Sequence, residues 1–374
     1  MDQGRHISAW VYPWDVARLG IKETIRIMKE CRISELSLAV QYHSGQVLSL
    51  AGGEPHWIVQ ETGPLVDVAD GEWRQGDVHF VPRALARDLA DALRQEHLTL
   101  RGWIVVAHDK SGWDPVVNVF GDRLPHSPCP LANQTKIAAM MEQVASWGVF
   151  DRLDVEALGF LPALHGAHHD IVGLAQSPLM QFLFSICFCP TCEANFSPQL
   201  DWNQLKEQVR ISILDLIEEH APPLTEYLDA HPLIQDFVQK RGRQLDRLLQ
   251  QMAATCRVPL TPVLMATNQE ARLSWIQGLV AKPDRASEVI MLGYGSVEKI
   301  GLDLRWIQEQ GWGLSRVIIG QSLLPAVASD WREARARVDL LLASGARRFC
   351  FYNLGLLTKP RLGWLQELAG LILT

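Results

Sequence analysis

The strongest constraint on the fold is an alternation of short apolar runs with helical patterns, which occurs eight times along the chain. Such runs are typical of buried parallel strands, because helices cover both faces of a parallel sheet. The predicted strands are His6–Tyr12, Glu35–Gln41, Leu100–Ala107, Arg152–Leu158, Leu260–Ala266, Glu288–Leu292, Arg316–Gly320 and Arg347–Tyr352. Eight strand–helix units predict an α/β protein built as a (β/α)8 barrel.

Amphipathic patterns between these runs predict the covering helices. They are Lys22–Cys31, Pro82–His97, Gln134–Trp147, Leu233–Cys256, Gln269–Ala281, Leu302–Gln310, Asp330–Ala343 and Arg361–Leu373. The alternative is a doubly wound open sheet, which usually carries a glycine-rich phosphate turn after its first strand. Here that turn reads Val11-Tyr-Pro-Trp-Asp15, which cannot cradle a phosphate.

The length of 374 residues fits one barrel domain over 1–374 with two long insertions. The insertions are predicted at about 44–80, after the second strand, and at 159–258, after the fourth. Both follow strands, so we expect them on the carboxyl-terminal face, where barrel enzymes build their active sites.

Charge and hydropathy exclude several classes of function. The chain has 35 Lys and Arg against 42 Asp and Glu, with no basic block, which argues against a nucleic-acid partner. Neither a signal peptide nor an apolar run long enough to span a membrane is evident. We therefore expect a cytoplasmic protein without a membrane partner, and a homo-oligomer is compatible with the sequence.

Two carboxylates share one face of the fourth predicted strand. Side chains alternate along a strand, so Asp154 and Glu156 point the same way, and Glu156 lies closer to the carboxyl-terminal end. Two neighbouring carboxylates push one pKa upward, which suits a general acid. We therefore predict Glu156 as the catalytic residue with Asp154 as its partner. The alternative is a structural network with inward Arg or Lys side chains of neighbouring strands.

Aromatic and polar side chains follow most of the predicted strands. Sugar rings stack on aromatic faces, and their hydroxyls need fixed donors and acceptors. This combination predicts a carbohydrate ligand, although core packing is the alternative for each residue taken singly. The predicted carbohydrate-binding residues are Trp10, Tyr12, Trp14, Tyr42, His43, His108, His168, His169, Tyr294, Gln321, Tyr352 and Asn353.

The most specific short motif is a cysteine cluster. Cys187, Cys189 and Cys192 fall within six residues, and Cys129 in a Pro-Cys-Pro sequence is the candidate for a fourth ligand. Four thiolates can enclose one tetrahedral zinc ion and leave no open position, so the predicted zinc site is structural. The alternative is a group of unmetallated thiols. Three further cysteines lie in predicted helices or strands as ordinary buried thiols: Cys31, Cys256 and Cys350.

This order of motifs resembles the family 42 beta-galactosidases. The resemblance covers roughly residues 100–195 and includes Phe120-Gly-Asp-Arg-Leu-Pro-His-Ser-Pro-Cys129-Pro, the fourth-strand Glu156 and the Cys-x-Cys-x-x-Cys motif. It implies a (β/α)8 barrel whose four cysteines hold a structural zinc, with Glu156 as the general acid/base. Two positions depart from that family's pattern. Val155 stands where the family has Asn, and the seventh strand ends in Gln321 where the family has a nucleophilic Glu.

A second resemblance concerns the missing nucleophile. Asp154-x-Glu156 together with Tyr294 is similar to the arrangement of family 18 chitinase-like barrels, although Arg152 interrupts the fuller Asp-rich signature. This resemblance implies that the acetamido group of the substrate acts as the nucleophile. We therefore expect a glycoside hydrolase, with a substrate-assisted hydrolase or a non-catalytic carbohydrate-binding barrel as alternatives.

Overall fold

The computed structural model describes residues 4–60, 62–64, 66–67, 81–164, 172–265 and 286–374. Eight parallel strands close into a barrel, because the first strand pairs with both the second and the eighth. The strands are β1 (His6–Val11), β2 (Glu35–Tyr42), β3 (Thr99–Val105), β4 (Arg152–Glu156), β5 (Leu260–Leu264), β6 (Val289–Leu292), β7 (Val317–Ser322) and β8 (Arg348–Tyr352). The predicted (β/α)8 barrel is confirmed.

Twelve helices are present in the described part of the chain. They are α1 (Pro13–Leu19), α2 (Ile21–Glu30), α3 (Arg83–Gln95), α4 (Gln134–Ala145), α5 (Pro178–Phe184), α6 (Pro190–Phe196), α7 (Trp202–Ile217), α8 (Leu224–Ala230), α9 (Pro232–Cys256), α10 (Val297–Glu309), α11 (Trp331–Ala343) and α12 (Lys359–Leu373). None of them combines the length and the apolarity that a membrane crossing requires. The predicted helix Gln269–Ala281 lies outside the described residues.

Helices α1 and α10 are among those that differ from the sequence-based expectation, and both differences have local reasons. Helix α10 begins at Val297, five residues before the predicted start, because the Ser296 hydroxyl accepts a hydrogen bond from the backbone N–H of Lys299 and caps the helix. Gly301 had weakened the helical pattern there, since glycine disfavours a helix interior. Helix α1 was not predicted; it begins with Pro13, a residue well suited to the first turn.

The two long insertions contain structure of their own. After β2 the chain forms an antiparallel hairpin of Gly45–Ser49 and His56–Gln60. After β4 it forms α5 to α8 before the long helix α9 returns to the barrel. A second small antiparallel pair, Pro115–Val117 with Arg123–Pro128, follows β3 and leads to Cys129.

Charged side chains fill the end of the barrel interior where the strands begin. The Arg101 guanidinium on β3 donates to Asp154 on β4, with distances of 2.9 and 2.5 Å to Oδ1. It also donates to Glu35 and Glu288, at 2.9 Å each, and Arg348 contacts Glu288 at 2.5 Å. We call these five residues the basal charge network. Asp154 is fully buried and Arg101 is 1% exposed, so the pairing offsets a large cost of burying charge.

We expect Arg101→Met to lower the free energy of unfolding by about 3–5 kcal/mol, because it leaves buried carboxylates without their countercharge. Urea denaturation would measure the change. Arg335→Met is the matched control, since Arg335 forms an exposed pair with Asp339 on α11 and its loss should cost less than about 0.5 kcal/mol. Equal losses in both variants would contradict a stabilising role for the network.

Candidate functional site

Glu156 ends β4 at the mouth of the barrel, where it is partly exposed. Its Oε2 accepts a hydrogen bond of 2.6 Å from the indole N–H of Trp103 on β3. Removal from water raises the pKa of Glu156 to about 7; the Trp103 hydrogen bond opposes this rise, and the nearby Asp154 charge adds to it. A carboxyl group with this pKa can give up or accept a proton near neutral pH.

Asp154 lies one step below Glu156 and has different surroundings. Besides its bonds to Arg101, it accepts a hydrogen bond of 2.6 Å from the Ser37 hydroxyl on β2. Burial raises its pKa, whereas Arg101 and Ser37 oppose that rise. For Asp154 the structure therefore displays the structural network that the sequence left as the alternative. Asp154 is fully buried, and its charge adds to the rise in the pKa of Glu156.

Aromatic rings surround Glu156 on the side of β1, β2 and β8. The Trp103 ring contacts Tyr42 edge-on at 4.9 Å between centroids, and it lies 5.8 Å from Trp10 and 6.0 Å from Tyr352. The Tyr12 hydroxyl oxygen lies 2.8 Å from that of Tyr352 and 3.1 Å from that of Tyr42. The structure thus brings together four of the predicted carbohydrate-binding aromatics beside the predicted acid. Together with Trp103 they form a group that we call the mouth aromatics: Trp10, Tyr12, Tyr42, Trp103 and Tyr352.

The other predicted carbohydrate-binding residues fall into two groups. Tyr294 and His43 are half-buried at the rim; Tyr294 lies 6.3 Å from Tyr352, and His43 lies 4.2 Å from His108 between ring centroids. The rest of the described set offers little surface to a ligand: His108, Trp14, Gln321 and Asn353 are 6%, 1%, 3% and 0% exposed.

Three of these deeply buried residues make contacts inside the protein. Gln321 donates from its amide to the carbonyls of Gly293 and Gly320, at 2.9 and 3.0 Å. Trp14 stacks on Tyr12 at 4.6 Å, and Asn353 accepts a hydrogen bond of 3.2 Å from the backbone of Gly355. His168 and His169 lie outside the described residues.

A further buried carboxyl group follows β1. Asp15 accepts a 2.5 Å hydrogen bond from the Ser49 hydroxyl of the hairpin, and burial raises its pKa to about 7. Its other oxygen packs on Gly355, where an added Cβ would lie only 1.9 Å away. Asp15 is fully buried between these groups, so it joins the hairpin to the segment that follows β8.

Sequence reasoning missed the two β3 residues that hold the carboxylates. Arg101 and Trp103 are two positions apart and therefore share the inward face of their strand. That spacing matches the spacing of Asp154 and Glu156 on the adjacent strand, so it could have indicated that the two pairs face each other. The sequence prediction treats the run that contains them only as a buried strand.

The four predicted cysteine ligands come together. Cys129, Cys187, Cys189 and Cys192 are buried, and their sulfur atoms all lie within 4.8 Å of one another. The Sγ of Cys129 is 3.6 Å from that of Cys192 and 3.8 Å from that of Cys189. Tetrahedral zinc with Zn–S bonds of about 2.3 Å requires S–S separations of about 3.8 Å. The sulfur positions therefore fit a single tetrahedral metal ion.

A buried cation lies beside the cysteine cluster. Arg241 on α9 is 1% exposed, and burial lowers its pKa to about 10, while the charges of Cys192, Cys187 and Cys129 oppose that shift. Three phenylalanine rings lie 5.0–5.8 Å from its guanidinium carbon: Phe160, Phe182 and Phe237. Its positive charge offsets part of the negative charge that buried thiolates bring.

Comparisons with known proteins support the fold. No protein-family model and no curated protein matches the sequence. Among solved structures, the catalytic domain of beta-amylase from Paenibacillus polymyxa aligns with a TM-score of 0.56 at 10% identity, covering 99% of this chain and 98% of that chain. Beta-galactosidase from Bacillus circulans sp. alkalophilus aligns with a TM-score of 0.56 at 12% identity. Beta-galactosidase from the psychrophilic Marinomonas ef1 aligns with a TM-score of 0.52 at 11% identity.

These similar structures are glycoside hydrolases. The protein therefore has the (β/α)8 barrel fold found in glycoside hydrolases. Each beta-galactosidase alignment covers 98% of this chain, which spans 56% and 59% of the length of those two proteins. At such identities the likeness establishes the fold, and the chemistry has to be argued from the site.

We expect Trp103→Phe to raise the pKa of Glu156 above about 7, because it keeps an aromatic ring and removes the N–H that stabilises the charged carboxylate. Carbon-13 NMR titration of labelled glutamate carboxyls, with Glu156→Gln for assignment, would measure it. Trp147→Phe is the control, since the buried Trp147 indole N–H has no acceptor among the described residues. An unchanged or lower pKa in Trp103→Phe would contradict the assigned hydrogen bond.

Proposed function

We propose that this protein is a glycoside hydrolase in which Glu156 is the general acid/base. The observation that carries the proposal is the carboxyl group at the end of β4, with a pKa of about 7, at a barrel mouth lined by aromatic rings. Protonated Glu156 donates its proton to the leaving glycosidic oxygen as the bond to the anomeric carbon breaks. Its carboxylate then takes a proton from the water molecule whose oxygen bonds to that carbon.

In this proposal two of the mouth aromatics bind the substrate, because Trp10, Tyr12 and Trp103 are only 1%, 1% and 2% exposed. The exposed parts of Tyr42 and Tyr352 offer ring faces and hydroxyls, and the other rings exclude water around Glu156. Tyr294 and His43 extend the same wall along the rim. Such a surface suits a carbohydrate with an apolar ring face and hydroxyls at its edge.

A substrate-assisted hydrolase is the second candidate. Gln321 is the last residue but one of β7, and its amide is bonded to two backbone carbonyls, so it supplies no nucleophilic carboxylate. A substrate whose own acetamido group attacks the anomeric carbon needs no such residue. Activity on N-acetylated sugars and none on their 2-hydroxy counterparts would favour this candidate, whereas ligand binding without turnover, measured by calorimetry, would indicate a non-catalytic carbohydrate-binding barrel.

The cysteine cluster holds structural zinc in this proposal. Its four sulfur donors match the soft ligands that zinc accepts, and a closed tetrathiolate site leaves no position for substrate. The zinc would fasten α6, which carries Cys192, to the loop that carries Cys129. Its contribution is to folding, and the reaction steps use the side chains at the barrel mouth.

We expect Glu156→Gln to lower kcat/KM on aryl glycosides by about 10²–10⁴-fold, because the amide cannot donate the proton. In the wild type, kcat/KM should fall as pH rises through about 7, since the acid must be protonated. Glu298→Gln is the matched control, at an exposed position on α10. A wild type that cleaves no glycoside, or an active Glu156→Gln variant, would refute the assignment.

We expect one zinc ion per chain in the purified protein, measured by plasma emission spectroscopy. Cys189→Ser should lose this metal and unfold at a lower temperature, because one of four ligands is gone. Cys256→Ser serves as the control, since Cys256 is buried at the end of α9 and is not one of the four clustered cysteines. Metal-free wild-type protein, or full zinc content in Cys189→Ser, would contradict the proposed site.

A further inference from the structure

Helix α7 in the insertion after β4 has two apolar faces. One face packs inward through Trp202, Leu205, Val209, Ser212, Ile213 and Leu216. The other carries Ile211, Leu214 and Ile217, which are 48%, 39% and 56% exposed. A single packed helix needs one apolar stripe, so the second stripe is not explained by the packing of the described residues.

The exposed stripe is continuous. Its residues are three positions apart, so they lie on adjoining turns and span about 9 Å along the helix axis. Single exposed apolar residues are ordinary, as Leu302 on α10 is at 48%. A contiguous apolar stripe bordered by charges is instead typical of a protein–protein contact.

The charges bordering the stripe indicate which partner fits. Arg210 lies four positions before Leu214, and Glu218 lies four positions after it, directly after the last residue of the helix; both are on the side of the stripe. Arg210 also donates to Glu207 of its own helix at 2.8 and 2.9 Å, and its third guanidinium nitrogen is left for a contact across the axis. In an antiparallel contact with a two-fold axis at Leu214, Ile211 faces the Ile217 of a second copy. Arg210 then faces the Glu218 of that copy, and the reverse pair forms on the other side.

We propose that α7 is a self-association surface through which two copies of this chain form an antiparallel dimer. The stripe is its own complement, because the apolar positions coincide and opposite charges meet across the axis. The interface lies in the insertion and does not use Glu156, so it stands independently of the proposed hydrolase activity.

Sedimentation equilibrium over a dilution series of the full chain tests the proposal. The wild type should be a dimer that dissociates on dilution, and Leu214→Asp should raise the dissociation constant by at least about tenfold. Arg210→Glu and Glu218→Arg should each weaken the dimer by placing like charges opposite each other. The double variant Arg210→Glu/Glu218→Arg should restore it. Leu302→Asp is the matched control and should leave association unchanged.

A crosslinking arm tests the axis directly. Leu214→Cys should form a disulfide-linked dimer on mild oxidation because the two new thiols meet at the two-fold axis, whereas Leu302→Cys should not. A wild type that is monomeric throughout, or a dimer insensitive to Leu214→Asp, would overturn the proposal. So would a charge-swapped double variant that stays as weak as the single variants.

Discussion

The guanidinium of Arg101 is the interaction on which the barrel interior depends. From β3 it reaches Glu35 on β2, Asp154 on β4, and Glu288 immediately before β6, and it lies 2.9 Å from the Thr261 hydroxyl on β5. A guanidinium offers five fixed donors, which suits a point where several strands converge. One side chain therefore fixes the relative positions of five consecutive strands, and the strand that carries Glu156 is among them.

This arrangement divides the interior into two layers with different tasks. The layer near the strand starts holds compensated charges, and the layer near the strand ends holds aromatic rings around one uncompensated carboxyl group. Burial raises the pKa of Glu156, and Arg101, which is bonded to Asp154 one layer below, does not offset that rise. Had Arg101 extended to Glu156, that carboxyl group would be held ionised and could not serve as an acid.

The sequence predicted the parts of this protein that local patterns encode. Eight apolar runs predicted the barrel, and the spacing of Cys187, Cys189 and Cys192 predicted the cluster that Cys129 completes. The partners of Asp154 were not predicted, because Ser37 and Arg101 are far from it in sequence. The burial of Gln321 and Asn353 was likewise not evident, since a strand end leaves either side chain free to face the mouth or the wall.

The hydrogen bonds that Asp154 accepts also limit the routes by which protons can reach Glu156. Both oxygens of Asp154 already accept hydrogen bonds, one from Ser37 and the other from Arg101. Asp154 therefore offers Glu156 no proton relay from below, and in the proposed hydrolase we expect protons to reach that carboxyl group through the mouth. In such a hydrolase, Glu156 would be reprotonated through the same opening that admits the sugar. A bound product would then delay the next turnover by blocking reprotonation as well as by occupying space.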